Sequence, residues 1–169
     1  FITDLRLQNG REVLSDTHSP IIGYAYDGNP IYGPYGYDAI TGGTPRLLKS
    51  GYVLSPSTDR PNPLDSNGNV IYPDGFFTND YVYDGSGDLD EYNGRFCKTP
   101  EFPNGVYAYF TTINTNAVES SGQFRGYRKP EFPYFIGDKY KSTPIPYNYD
   151  NKSNQDDINL NDTELSRNT

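Results

Sequence analysis

Few side chains in this 169-residue sequence can do chemistry near neutral pH. Histidine occurs once, as His18, between Thr17 and Ser19 and just ahead of Pro20. A serine–histidine–acid relay would need that imidazole as its base, and Cys97 is the one thiol with which it could form a dyad. A zinc site draws several ligands from His and Cys, and the sequence offers one of each. His18 is therefore expected to be structural, donating a ring N–H to a carbonyl at a turn. Cys97, between Phe96 and Lys98, is expected to act as a small, half-buried apolar residue.

Carboxylates are the remaining candidates. In Asp84-Gly85-Ser86-Gly87-Asp88-Leu89-Asp90-Glu91, oxygen ligands fall at alternate positions. Asp84, Ser86, Asp88 and Asp90 on a glycine-softened loop resemble the start of a calcium loop. The EF-hand template fails at its sixth position, where Leu89 replaces glycine. The alternative is a solvated acidic turn whose carboxylates cap local backbone N–H groups. Asp90 or Glu91 could serve an acid-dependent hydrolase, although no carboxylate pair stands out. Calcium aside, no cofactor is expected. The 17 tyrosines suit a core, a protein interface or sugar stacking.

The elements that would position these groups read as strands and tight turns. Asn-Gly pairs occur at 9–10, 67–68, 93–94 and 104–105, and Asp-Gly pairs at 27–28, 74–75 and 84–85. Such pairs tolerate the positive φ of hairpin turns. Between them lie β-branched and aromatic runs at 21–26, 51–54, 69–72, 76–83 and 105–113. In the run Val106-Tyr107-Ala108-Tyr109-Phe110, alternation puts Val106, Ala108 and Phe110 on one face and the two tyrosines on the other. The purely apolar face is expected to point into the core. Residues 64–72 should form a hairpin with an exposed tip at Asn67-Gly68. Pro-Glu-Phe-Pro occurs at 100–103 and again at 130–133, each time ahead of an aromatic run, as a device for entering a strand.

The expected fold is mainly β: a compact, loop-rich antiparallel-sheet or sandwich-like domain over residues 1–140, with a polar linker or arm over 141–169. Leu, Ile, Val and Phe total only 35 residues, so tyrosine must supply part of the core. Residues 151–169 hold Ile158, Leu160 and Leu165 as their sizeable apolar groups, too few to offset the entropy of ordering. A net charge of -8 opposes binding to phosphate, which argues against nucleic acid and anionic membranes as partners. No apolar run is long enough to insert in a membrane. A lone cysteine forbids an internal disulfide. The chain starts at Phe1 and contains no methionine, which suggests excision from a longer polypeptide, or else cleavage of a secretion signal.

Two segments carry a family likeness. His18-Ser19-Pro20-Ile21-Ile22-Gly23-Tyr24-Ala25-Tyr26-Asp27-Gly28-Asn29-Pro30-Ile31-Tyr32-Gly33-Pro34 resembles the first signature of the YHYH-domain family. Leu89-Asp90-Glu91-Tyr92-Asn93-Gly94-Arg95-Phe96, continued by Thr99-Pro100-Glu101-Phe102-Pro103-Asn104-Gly105, resembles the second. The wording from Asp27 to Tyr37, and Phe132-Pro133-Tyr134-Phe135-Ile136-Gly137, is similar to modules of virion structural proteins in T4-like phages of marine cyanobacteria. That resemblance implies a tail or baseplate role inside the virion, with other virion proteins or the rest of a parent chain as partners. Where the family motif reads Tyr-His-Tyr-His, this chain has Tyr107-Ala108-Tyr109-Phe110, so chemistry resting on paired imidazoles does not carry over. His18, Asp27, Asp90, Glu91 and Asn93 occupy matching positions and are expected to form a buried polar network. The expected function is thus a non-enzymatic structural module. The alternatives are a secreted or surface carbohydrate-binding module, which would place the chain outside the cell, and the acid-dependent hydrolase.

Overall fold

The computed structural model describes residues 6–8, 11–13, 16–56, 63–114 and 130–144. The sequence expectations for the Asn-Gly pair at 9–10 and for most of the polar arm, 145–169, lie outside the described residues. The chain is mainly β, built from several small sheets joined by turns, as its pattern of short runs and Gly-containing dipeptides implies.

A hairpin of β1 (Arg6–Gln8) and β2 (Arg11–Val13) comes first. The central sheet has the order β3 (Ile21–Tyr24), β4 (Pro30–Tyr32), β10 (Val106–Phe110), β9 (Gly94–Cys97). Its outer pairs are antiparallel, but β10 runs parallel to β4, with Tyr109 opposite Ile31 and Phe110 opposite Tyr32. One parallel pair in an otherwise antiparallel set is permitted because the rest of the fold intervenes between these strands as a long crossover. That crossover contributes the hairpin of β5 (Tyr35–Ala39) and β6 (Gly42–Leu47), and the pair of β7 (Tyr52–Leu54) with β8 (Tyr81–Tyr83).

The alternation expected in β10 is present. Ala108 and Phe110 are fully buried with Tyr32, Leu48, Leu89 and Cys97, and Val106 packs at the edge of that cluster. Phe110 lies stacked on Tyr32, ring centroids 5.5 Å apart. Tyr109, on the opposite face, is just as inaccessible. β10 is therefore a partition with packed material on both sides, not a half-exposed strand.

Two runs read as strands depart from that expectation. Of 69–72, only Val70 pairs, in a single bridge with Leu64, although Asn67-Gly68 does sit at the exposed tip of that hairpin. The run 76–83 begins with a 3-10 turn, Thr78–Asp80, and becomes strand only at Tyr81. Pro73 and Gly75, the latter at φ 90°, interrupt the extended backbone there. The second Pro-Glu-Phe-Pro enters a turn, not a strand, since Tyr134 takes a φ of 73°.

Candidate functional site

His18, Cys97, Asp27 and Asp90 are arranged about β10, on its two faces. The tyrosine face carries one aspartate from each family-like segment, Asp27 and Asp90. Asp27 lies at the turn between β3 and β4, where Gly28 takes a φ of 84° and the Ala25 N–H closes on the Asn29 carbonyl at 2.9 Å. Its carboxylate accepts from the Tyr109 hydroxyl at 2.6 Å, the Asn29 side chain at 2.8 Å and backbone amide at 3.2 Å, and the Ser142 amide at 3.1 Å. Burial by itself would raise the pKa of Asp27; these hydrogen bonds to the charged form outweigh it and hold the carboxyl below its ordinary value.

Asp90 begins the loop that leads into β9. Its Oδ1 accepts from the Tyr92 amide at 3.0 Å, the Gly94 amide at 3.2 Å and the Tyr107 hydroxyl at 2.8 Å. Lys141 Nζ stands 3.7 Å from Asp90 Oδ2 and 4.7 Å from the centre of the Tyr92 ring. Tyr107 and Tyr109 meet edge to face at 5.3 Å, so the two phenol–carboxylate pairs adjoin. Burial, and then the carboxylate each one bonds, push both phenols well above the ordinary tyrosine range. They are donors, not bases, at any physiological pH.

In the same loop Asn93, not the glycine after it, takes the left-handed conformation, at φ 63°. Gly94 is needed for space: a Cβ there would stand 2.5 Å from the Tyr107 hydroxyl and 2.7 Å from the Ala108 carbonyl. Asn93 is wholly buried and donates to the Phe110 carbonyl at 2.9 Å and the Phe135 carbonyl at 3.2 Å. Its neighbour Glu91 has an exposed side chain and enters the network only through its carbonyl, which accepts from the Tyr52 hydroxyl at 2.6 Å.

A strap over 131–142 closes this face. The Ser50 hydroxyl donates to the Phe132 carbonyl at 2.7 Å, and the Gly137 amide to the Tyr92 carbonyl at 3.0 Å. Lys141 then donates its amide to the Tyr109 hydroxyl at 2.7 Å. A Cβ on Gly137 would lie 2.3 Å from the Glu91 carbonyl, so the strap's close approach depends on that glycine. Lys141 and Ser142 thus belong with the β domain, past the boundary expected at residue 140.

His18 lies on the other face, apart from the carboxylates. Its Nδ1 is 2.8 Å from the Ser19 carbonyl, an acceptor, so this nitrogen carries a proton. Tyr37, Tyr32 and Phe110 surround its ring at centroid distances of 4.9, 5.1 and 5.9 Å. The Arg95 guanidinium lies over the Phe110 ring, 5.6 Å from its centre, and donates to the Tyr37 carbonyl at 2.5 Å. Cys97 is buried beside it, and burial raises its pKa despite the neighbouring guanidinium, leaving a thiol and not a thiolate.

The four proposed calcium ligands are drawn to different places. Asp84 caps the Ser86 amide at 2.8 Å. Asp88 turns the opposite way and forms a two-pronged ion pair with Arg46, at 2.8 and 2.6 Å, while also accepting the Lys49 amide at 2.8 Å. Asp90 serves the tyrosine face. Among the described residues, no group of three or more His, Cys, Asp or Glu side chains gathers as a metal site. The loop instead folds onto 49–51, with Gly87 so close to Ser50 that a Cβ would lie 2.1 Å from its carbonyl oxygen. Asp84 and Asp88 each accept a backbone N–H, and Asp88 adds an ion pair.

The structure therefore brings Asp27 and Asp90 together through partners that the sequence did not single out, Tyr107, Tyr109 and Lys141, while the Asn93 side chain bonds the Phe110 and Phe135 carbonyls. A family profile described as YHYH protein matches residues 7–126. The match covers more than half of the chain, which belongs to that family. No curated protein and no solved structure matches it.

Proposed function

We propose that this member of the YHYH family is a non-enzymatic structural module of a larger phage virion protein, in a tail or baseplate. The observation that carries the reading is the inner face of β10. At the two positions where the family motif has imidazoles, a methyl group and a phenyl ring are buried in the core. Ala108 and Phe110 can neither ligate a metal nor move a proton, and the one imidazole left is ringed by aromatic side chains. On the tyrosine face the carboxylates are occupied in tying loops together, which is the work of a scaffold. The tail or baseplate assignment rests on the resemblance of the Asp27–Tyr37 and Phe132–Gly137 wording to virion proteins.

Mass spectrometry of purified virions of the phage carrying this gene tests the assignment, with peptides of this chain expected among the particle proteins. Their absence from particles removes the virion role. Activity is tested separately, with a panel of ester and glycoside substrates offered to the wild type, Asp90→Asn and Glu91→Gln. Turnover that disappears in either variant while the fold is kept would establish the hydrolase alternative. A second reading, sugar binding, is favoured by Tyr24 and Tyr26, which project from β3 and its turn at 63% and 56% exposure. Saturable glycan binding lost on changing Tyr24 or Tyr26 to Ala would support it.

A further inference from the structure

Residues 64–77 carry a run of exposed apolar side chains. Leu64 and Val70 are cross-strand neighbours in the exposed hairpin, followed by Ile71 and Tyr72 and then by Phe76 and Phe77. All six are exposed, Leu64 to 58% and Phe76 to 59%. Isolated surface apolar residues need no explanation, but six within fourteen consecutive positions do.

The chain fixes this display in place. Asp80 is buried, and its Oδ2 accepts the Gly75 amide at 2.9 Å and the Phe77 amide at 3.1 Å. The Phe76 amide closes on the Pro73 carbonyl at 3.1 Å. At the hairpin tip, Asp65 accepts the Asn67 and Asn69 amides at 2.8 and 2.9 Å. A buried carboxylate that bonds two turn amides holds both phenylalanines outward before anything binds, which lowers the entropy cost of association.

The rings choose between occupants. Tyr72, Phe76 and Phe77 touch one another at centroid distances of 5.0 to 5.4 Å, with planes inclined by 53° to 74°. They form a knob, not the flat platform on which a sugar ring stacks, and leave no gap for a caged ammonium group. The setting is acidic. Residues 61–94 contain seven Asp or Glu and no Lys, Arg or His, and Asp65, Asp74 and Asp84 are exposed. Charge complementarity therefore asks for a basic rim around an apolar pocket.

We propose that the 64–77 knob docks a polypeptide partner that offers aliphatic or aromatic side chains flanked by Lys or Arg. This deepens the reading as a structural interaction module and rests on it. The partner differs from a second copy of this acidic chain, whose own 61–94 segment would repel it.

Short random peptides displayed on yeast are selected against the whole chain, with counter-selection against Phe76→Ser/Phe77→Ser. The selected peptides should combine apolar residues with Lys or Arg. The best of them, made synthetically and measured by fluorescence anisotropy, should bind the double variant at least ~10-fold more weakly. Asp74→Lys should also weaken binding, and added salt should erase the advantage of the wild type over Asp74→Lys. Asp74 is exposed, so this variant carries the test even where the double variant fails to fold. Enrichment of acidic peptides, or of none that depend on Phe76 and Phe77, overturns the proposal. So does self-association through the knob in sedimentation, or glycan binding lost with the same two rings. Each of those results leaves the structural-module reading standing, whereas substrate turnover in the separate assay would remove that reading and leave peptide binding to be judged alone.

Discussion

The Tyr109 hydroxyl is the single atom that joins most of the tyrosine face, and its removal gives the sharpest test of the network. It donates to Asp27 at 2.6 Å and accepts the Lys141 amide at 2.7 Å. Tyr109→Phe keeps the buried ring and deletes both bonds. A hydrogen bond to a charged group contributes about 1.5–3 kcal/mol and a neutral one about 1 kcal/mol. Asp27 is half-buried and retains Asn29 and Ser142 as donors, so the lower end applies and the total loss should be about 2 kcal/mol. For a chain of this size that corresponds to a fall in melting temperature of roughly 4–8 °C. Tyr107→Phe loses bonds only to Asp90, whose side chain is 32% exposed, and should cost about half as much. Urea unfolding gives the global values, and hydrogen exchange locates them. Lys141 and Ser142 amides should exchange faster in Tyr109→Phe, while amides of β9 and β10 keep their order of protection. A cycle with Asp27→Asn should show coupling of about 1–2 kcal/mol. An unaltered midpoint together with unaltered exchange at Lys141 would refute the claim that this hydroxyl holds the strap.

Three further outcomes follow from the same geometry. Asp27 and Asp88 both have pKa values held down by hydrogen bonds to their charged forms, in Asp88 mainly those from Arg46, although burial pulls the other way. Their stabilisation is complete above the unfolded carboxylate value near ~3.9 and is lost as pH falls through the lower folded values, so melting temperature should drop steeply below about pH 4. Arg46→Ala should lower stability at pH 7 and remove part of that acid dependence, as thermal melts across pH will show. Burial raises the pKa of Glu131, an effect only partly offset by Lys49. Its charge therefore destabilises the fold above the raised value, and Glu131→Gln should melt higher at pH 7, with the advantage vanishing below about pH 4. Restoring an imidazole with Phe110→His should cost about 3 kcal/mol, because the stacked ring is lost from a closed core. A buried neutral imidazole has a depressed pKa, so the deficit should widen as pH falls through ~6.5, and urea titrations at pH 8 and pH 5.5 will measure the difference.

What the sequence disclosed was mostly local. Alternation in 106–110 correctly sent Ala108 and Phe110 inward, and Asp27-Gly28 and Asn67-Gly68 mark real turns, because such signals act between neighbours in the chain. The same alternation left Tyr107 and Tyr109 as merely the other face. What covers that face comes from Asp27, 82 residues before Tyr109, and from Lys141, 32 residues after it. No periodicity encodes contacts at those separations. A hint was available, since two phenols on one strand face need polar partners if they are buried, and Asp27 and Asp90 had already been marked by the family likeness. The acidic loop shows a related limit. Ligand-like spacing at 84, 86, 88 and 90 says which oxygens lie close along the chain, not which cation reaches them first. Arg46, 42 residues away from Asp88, took the central position.

The two faces of β10 play different parts in holding this fold together. Side chains at 107 and 109 bind the turn before β4, the turn before β9 and the closing strap, so those positions are tied to three other parts of the chain. Side chains at 108 and 110 meet the apolar core, the aromatic pocket of His18 and the Arg95 guanidinium. Exchanging an imidazole for a methyl or phenyl group on the inner face alters what the core can do but leaves no bond of the tyrosine face unmade. The reverse exchange, removing a phenol, takes one donor from a carboxylate that is already partly out of water. The knob on residues 64–77 is held by a turn that the buried Asp80 pins, through bonds that involve no residue of β10.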